Sequence, residues 1–155
     1  MKILVAYYSR TGITKKVASF MSEDLKAHID EIIDSVDRSG AIGYLKAGKD
    51  ASMKKSTKIT FNKNPKDYDM IIIGGPVWAW TMSPAIRTYV TENKDILKTK
   101  KIAFFATQGS DGAEKKFKAM QEIIGTKPVA TMTINSRDIK NEEYKNKAKT
   151  FIMTF

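Results

Sequence analysis

Five apolar runs of strand length recur along the chain: Ile3 to Tyr8, Ile29 to Val36, Met70 to Gly74, Ile102 to Ala106, and Val129 to Ile134. Between them the apolar positions change to three- and four-residue spacing, as in Val17, Met21 and Leu25, or Ile86, Tyr89 and Val90. The same spacing links Phe117, Met120 and Ile124, and then Tyr144, Ala148, Phe151 and Ile152. Each set predicts a helix with one apolar stripe to lay on a sheet. The run Asp69-Met70-Ile71-Ile72-Ile73-Gly74 lacks polar alternation, which predicts a strand covered on both faces in a parallel sheet. Ser83 is placed to cap a helix whose first position is Pro84, and Asp111 with Glu114 has capping-box spacing. The stretch from Ser39 to Asn64 is too long for a simple connection. With Tyr44, Leu45 and Met53 set among lysines, it predicts a short helix followed by an exposed crossover. Alternation throughout predicts an open, doubly wound α/β fold, a five-stranded parallel sheet with helices on both faces, as one domain over residues 1–155. Ligands of such sheets bind outside the carboxyl ends of the strands.

The 155 residues, 42% of them apolar, suffice for a sizeable core. The absence of cysteine excludes disulfides, a thiolate nucleophile, cysteine-ligated zinc and iron–sulfur clusters, so any redox chemistry must come from a borrowed group. No metal site is expected. A formal charge of +10 raises the question of a polyanionic partner. Only Arg10, Arg38, Arg87 and Arg137 are arginines, and the lysines are dispersed, so a solvated basic surface is expected rather than a nucleic-acid site. The start of the chain does not read as a signal peptide, and no apolar run approaches the roughly 20 residues that span a bilayer. A cytoplasmic protein without membrane insertion is the expectation.

Three segments carry the candidate chemistry. Ser9-Arg10-Thr11-Gly12-Ile13-Thr14 joins the first strand to a helix, and the first N–H groups of that helix, with its dipole, favour an anion. Hydroxyl donors from Ser9, Thr11 and Thr14 and the close approach allowed at Gly12 point to a phosphate ester. Pro76-Val77-Trp78-Ala79-Trp80-Thr81-Met82 holds both tryptophans in a turn, suited to a planar ring. Thr107-Gln108-Gly109-Ser110-Asp111-Gly112 offers amides and two glycines at the same rim. A Walker loop and a dinucleotide fingerprint are both absent, a phosphatase loop would need cysteine, and a response regulator would need acids after the first strand. His28, the only histidine, is expected at a helix end or surface, and Asp111 as a helix cap; no catalytic side chain is assigned.

These segments resemble the flavodoxin family. Ser9 to Thr14 matches its [ST]-x-T-G-x-T phosphate loop at every specified position, which implies FMN phosphate contacts from Ser9, Arg10, Thr11, Gly12, Ile13 and Thr14. The resemblance implies that Gly75, Pro76, Val77 and Trp78 cover the isoalloxazine and that Thr107, Gln108, Gly109 and Ser110 meet its pyrimidine edge; Ala79, Trp80, Asp111 and Gly112, from the same two loops, complete the candidate cofactor-binding residues. It also implies strand order 2-1-3-4-5, and Gly43 to Ala51 is similar to a helix found in a subgroup. Three departures matter. Trp80 stands where many relatives carry glycine for a peptide flip, the third loop lacks an aromatic residue, and the chain is basic where carriers of this kind are acidic. The implied role is electron transfer between redox partner proteins, here with acidic docking surfaces. Positive charge should make the potential of the fully reduced couple less negative than in acidic carriers. The alternatives are an FMN-dependent NAD(P)H:quinone reductase and a flavin-free module that uses the basic surface.

Overall fold

Residues alternate between the two faces of every central strand, and that alternation divides the interior into two cores. The structure is a computed structural model describing Met1–Phe155. Its main strands are β1 (Ile3–Tyr7), β2 (His28–Glu31), β5 (Met70–Trp78), β7 (Lys101–Gln108) and β8 (Thr131–Asn135). They pair in parallel in the order β2-β1-β5-β7-β8, the 2-1-3-4-5 order of the main strands. Leu4 and Ala6 of β1, Ile71 and Ile73 of β5, and Phe104 and Ala106 of β7 point to one face. There they meet Ile86, Tyr89 and Val90 of α3 (Pro84–Glu92) and Phe117, Met120 and Ile124 of α5 (Ala113–Ile124). Val5, Ile72 and Phe105 point to the other face. They are covered by Val17, Ala18 and Met21 of α1 (Ile13–Leu25) and by Tyr144, Ala148 and Phe151 of α7 (Tyr144–Ile152). Burying both faces is what the unbroken isoleucine run of β5 requires.

Several boundaries differ from the sequence reading. The run from Ile29 to Val36 is two strands: β2 ends at Glu31, and β3 (Ile33–Asp34) leaves the sheet to pair antiparallel with β4 (Ile59–Thr60). Two carboxylates fix this departure. Asp30 accepts from the N–H groups of Asn62 and Lys63, and Asp34 from the Thr57 hydroxyl at 2.7 Å. The crossover therefore carries a strand, and its helix α2 (Gly40–Ser52) has 13 residues rather than being short. His28 lies at the surface, one of its two expected places, but opens β2 rather than closing a helix, and its Nδ1 shares a 2.9 Å hydrogen bond with the Tyr68 hydroxyl. Ser83 caps α3, with Pro84 in first place. At α5 the cap is Gly112, not Asp111. Asp111 takes the Gly112 N–H at 2.7 Å, while the Gln108 side chain takes that of Ala113 at 3.0 Å. The short α4 (Lys94–Leu97) and α6 (Ser136–Lys140) complete the helices, and none is long and apolar enough to cross a membrane.

Candidate functional site

The carboxyl ends of β1, β5 and β7 and the loops beyond them enclose a cavity of about 510 Å³. That volume lies within the usual range for small-molecule sites, about 300–1,000 Å³. Its first wall is the start of α1. Gly12 has φ +90°, open space around its α-carbon, and the N-cap position. The Ser9 hydroxyl accepts from the N–H groups of Gly12 (3.1 Å) and Lys15 (3.2 Å), which holds the loop in shape. The N–H groups of Thr11, Ile13 and Thr14 find no acceptor within the protein. Thr11, Ile13 and Thr14 line the cavity, whereas Ser9 and Gly12 shape the loop from outside the lining. Deeper in, the Thr14 and Thr107 hydroxyls share a buried 2.7 Å hydrogen bond, so one hydroxyl proton of the pair is left over for a ligand.

Arg10 lies at the cavity but points away from the helix start. Its guanidinium donates to the carbonyls of Arg38 (2.7 Å) and Gly40 (3.0 Å) and lies 5.3 Å from the centre of the Tyr44 ring. It thereby clamps the entry of α2, which forms a wall through Tyr44, Leu45, Gly48 and Lys49. A buried ion cluster fixes the same helix. Arg38 donates to Asp34 at 2.7 Å and to Asp50 at 3.0 Å. The hydrogen bond from Arg38 holds the Asp50 carboxyl below its ordinary range. Burial, and then Asp34, push the neighbouring Tyr8 hydroxyl up to about 12, against the opposing pull of Arg38 and Arg10. Tyr8 is therefore a neutral phenol at neutral pH.

The second wall is the end of β5. Pro76, Val77, Trp78 and Ala79 line the cavity. Trp78 is half-buried, with its ring edge-on to Tyr8 at 5.6 Å and the Arg38 guanidinium 5.9 Å from its centre. The rest of this segment is a hairpin, because β6 (Thr81–Met82) pairs with Val77 and Trp78. Ala79 and Trp80 form its two-residue turn with φ of +47° and +59°, a conformation normally given to Asn-Gly. This turn carries the Trp80 ring outward to 61% exposure and outside the cavity lining. Gly112 is required there: a β-carbon on it would lie 2.8 Å from the Trp80 α-carbon.

The third wall is Thr107, Gln108 and Gly109; Ser110, Asp111 and Gly112 lie beyond the lining. Gln108 is held by bonds from its amide to the Ser110 carbonyl and the Asn135 side chain. Sequence reasoning missed two contributions, the α2 face and the Ile134-Asn135-Ser136 edge between β8 and α6. The helix of Gly43 to Ala51 was visible, but nothing local showed that it folds back over the strand ends. No cluster of His, Asp or Glu side chains is arranged to hold a metal ion.

A doubly wound sheet with a helix N-terminus and an indole at its switch point defines a ligand-binding α/β protein. The Flavodoxin family model matches residues 2–150, and the chain belongs to that family. The fold is shared with a flavoprotein from Lactobacillus acidophilus solved in complex with FMN: 23% identity, TM-score 0.68, 90% of this chain and 97% of that one covered. A provisionally assigned flavoprotein from Bacteroides uniformis gives 24%, 0.74, 96% and 97%. Oxidised flavodoxin 2 from Bacillus cereus gives 20%, 0.58, and full coverage of both chains. No curated protein sequence matches the chain.

Proposed function

We propose that this chain binds FMN in the cavity and carries electrons between protein partners. The observation that carries the reading is the set of N–H donors at the start of α1, without protein acceptors, opening onto the same cavity as Trp78. The donor set suits a dianionic phosphate: backbone N–H groups, the positive end of a 13-residue helix, and hydroxyls from Thr11 and the Thr14–Thr107 pair. The apolar surfaces of Val77, Trp78 and Leu45 suit a planar ring. FMN, when bound, supplies the electron-accepting ring, and the protein supplies orientation, solvent access and charge. Thr11, Ile13 and Thr14 would hold the phosphate end, Trp78 would flank the ring, and Thr107, Gln108 and Gly109 would lie along its polar edge. The FMN complex of the Lactobacillus relative supports this reading.

The partners proposed are proteins with acidic docking surfaces. Exposed Tyr44, Leu45 and Trp80 lie at and beside the cavity, with Arg10 and Lys49 among its lining, on a chain of charge +10. An apolar patch within a basic field favours a negatively charged partner and speeds encounter. The second reading is FMN-dependent NAD(P)H:quinone reduction, favoured by a third wall that offers no aromatic side chain to cover a bound ring. Steady-state NAD(P)H oxidation with a quinone distinguishes them, since a carrier shows almost no turnover. The reading itself is tested by mixing the protein with excess FMN and desalting. Flavin absorbance should travel with the protein in one-to-one amount; colourless, folded protein would refute FMN binding and leave the flavin-free module standing.

A further inference from the structure

Lys116, the fourth residue of α5, is fully buried on the apolar stripe beside Phe117 and Met120, where a hydrocarbon would be expected. Its ammonium has no carboxylate partner. Nζ donates to the carbonyl of Gly75 at 2.5 Å and lies 3.5 Å from that of Phe105. Gly75 is the residue before Pro76, so this carbonyl marks the point where β5 becomes the cavity wall. The Gly75–Pro76 peptide has no N–H, so the carbonyl is its only polar group, and Lys116 holds it from outside the cavity lining. The helix that bears Lys116 begins at the end of the third loop. One buried amine is therefore tied to both strands whose ends form the second and third walls.

The surroundings leave this amine electrically alone. The elements packed against α5 are α3, α4, β6 and β7. They offer Arg87, Tyr89 and Glu92 on α3, Lys94 and Asp95 on α4, and Lys101 on β7, and β5 and β6 carry no charged residue. On α5 itself Glu114, Lys115, Lys118 and Glu122 are exposed. None of these forms an ion pair with Lys116, and the half-buried Arg87 guanidinium donates to Thr81 instead. An uncompensated buried cation is costly, and a methionine of similar length would remove that cost.

We infer that Lys116 is a positioning residue that sets the reduction potential of a flavin bound against the β5 end, gaining a proton from water as the flavin gains electrons. This rests on the FMN reading above. Electrons come from a reductant, dithionite in the test, and the proton binds the free amine at Nζ; no bond to the flavin forms or breaks. Burial alone brings the lysine down to about 7, so its proton occupancy changes near neutral pH. Negative charge added to the flavin favours the ammonium, and by linkage the ammonium favours the added charge. The wild-type potential is therefore raised at low pH, where Lys116 is charged, and loses that increment as pH rises through neutrality.

The test is a potentiometric titration of the FMN-loaded protein from about pH 6 to about pH 9, for wild type, K116M and K116Q. Glutamine keeps an N–H donor for Gly75 without a charge, so it separates the hydrogen bond from the titration. Both variants should retain FMN, lie below wild type at the acid end, and show a shallower fall of potential with pH. A wild-type slope retained in either variant overturns the proposal while leaving FMN binding intact; failure of folded wild type to retain FMN overturns the functional reading itself and this one with it. Nitrogen-15 lysine spectra of wild type provide a check independent of any variant. The Lys116 Nζ midpoint should rise on reduction of the bound flavin, and an unchanged midpoint contradicts the coupling.

Discussion

Replacing Thr14 by valine deletes one oxygen while keeping the shape of a side chain that is buried between the phosphate loop and β7. Thr14 and Thr107 share a 2.7 Å hydrogen bond, so one of the two hydroxyls donates to the other and only one proton remains for the ligand. The pair thus acts as a relay, and removing either member breaks it. A hydrogen bond to a charged group contributes about 1.5–3 kcal/mol, which corresponds to an FMN affinity loss of about 10- to 150-fold. Thr107→Val should cost a similar amount, and the double variant should cost little more than either alone, because contacting residues of one network are not additive. The assay is calorimetric titration with FMN and, in parallel, with riboflavin, which has the same ring system and no phosphate. Riboflavin affinity should be little changed. Equal losses for both ligands, or fully additive losses in the double variant, would refute the relay and the placement of the phosphate beside it.

Four further outcomes are expected. Arg38→Met leaves the buried Asp34 with neutral donors only and Asp50 with only Lys55 at 3.5 Å, and should cost about 3–5 kcal/mol of stability in urea unfolding. Trp80→Gly relieves a left-handed φ of +59° and should stabilise by about 1 kcal/mol, seen as a rise in Tm of about 2–4 °C. Because burial holds Lys116 at about 7 when folded, against about 10.4 unfolded, the unfolded chain binds the extra proton between those values. Thermal stability should therefore rise with pH across that window, and K116M should flatten the rise. Electron transfer to an acidic partner protein should slow as ionic strength increases from about 10 mM to about 150 mM, while a neutral small-molecule acceptor should show little change.

How much of this was legible depended on whether the signal was local. The β5 core, Met70 to Ile73, was readable because a buried parallel strand needs no polar residue. The helical stripes of α1, α3, α5 and α7 were readable because each packs a single face on the sheet. The split of the second run at Ile32 was not, since the carboxylates of Asp30 and Asp34 bind residues some thirty positions away or across the crossover. The phosphate loop was visible as a motif, yet its division of labour was not. Ser9 holds the loop through the nearby N–H groups of Gly12 and Lys15, while Arg10 clamps α2 through carbonyls about thirty positions away, which no local pattern shows. Trp80 could have been separated from Trp78 only by knowing that Ala79 and Trp80 form the two-residue turn of a hairpin. Lys116 did leave a local trace, a lysine on the apolar face defined by Ala113, Phe117 and Met120.

FMN titration followed by tryptophan emission tests the central claim most directly, because Trp78 lines the same cavity as the start of α1. Saturable, one-to-one quenching is expected, with riboflavin binding more weakly by the contribution of the phosphate. Unchanged emission from folded protein at saturating FMN would contradict the account.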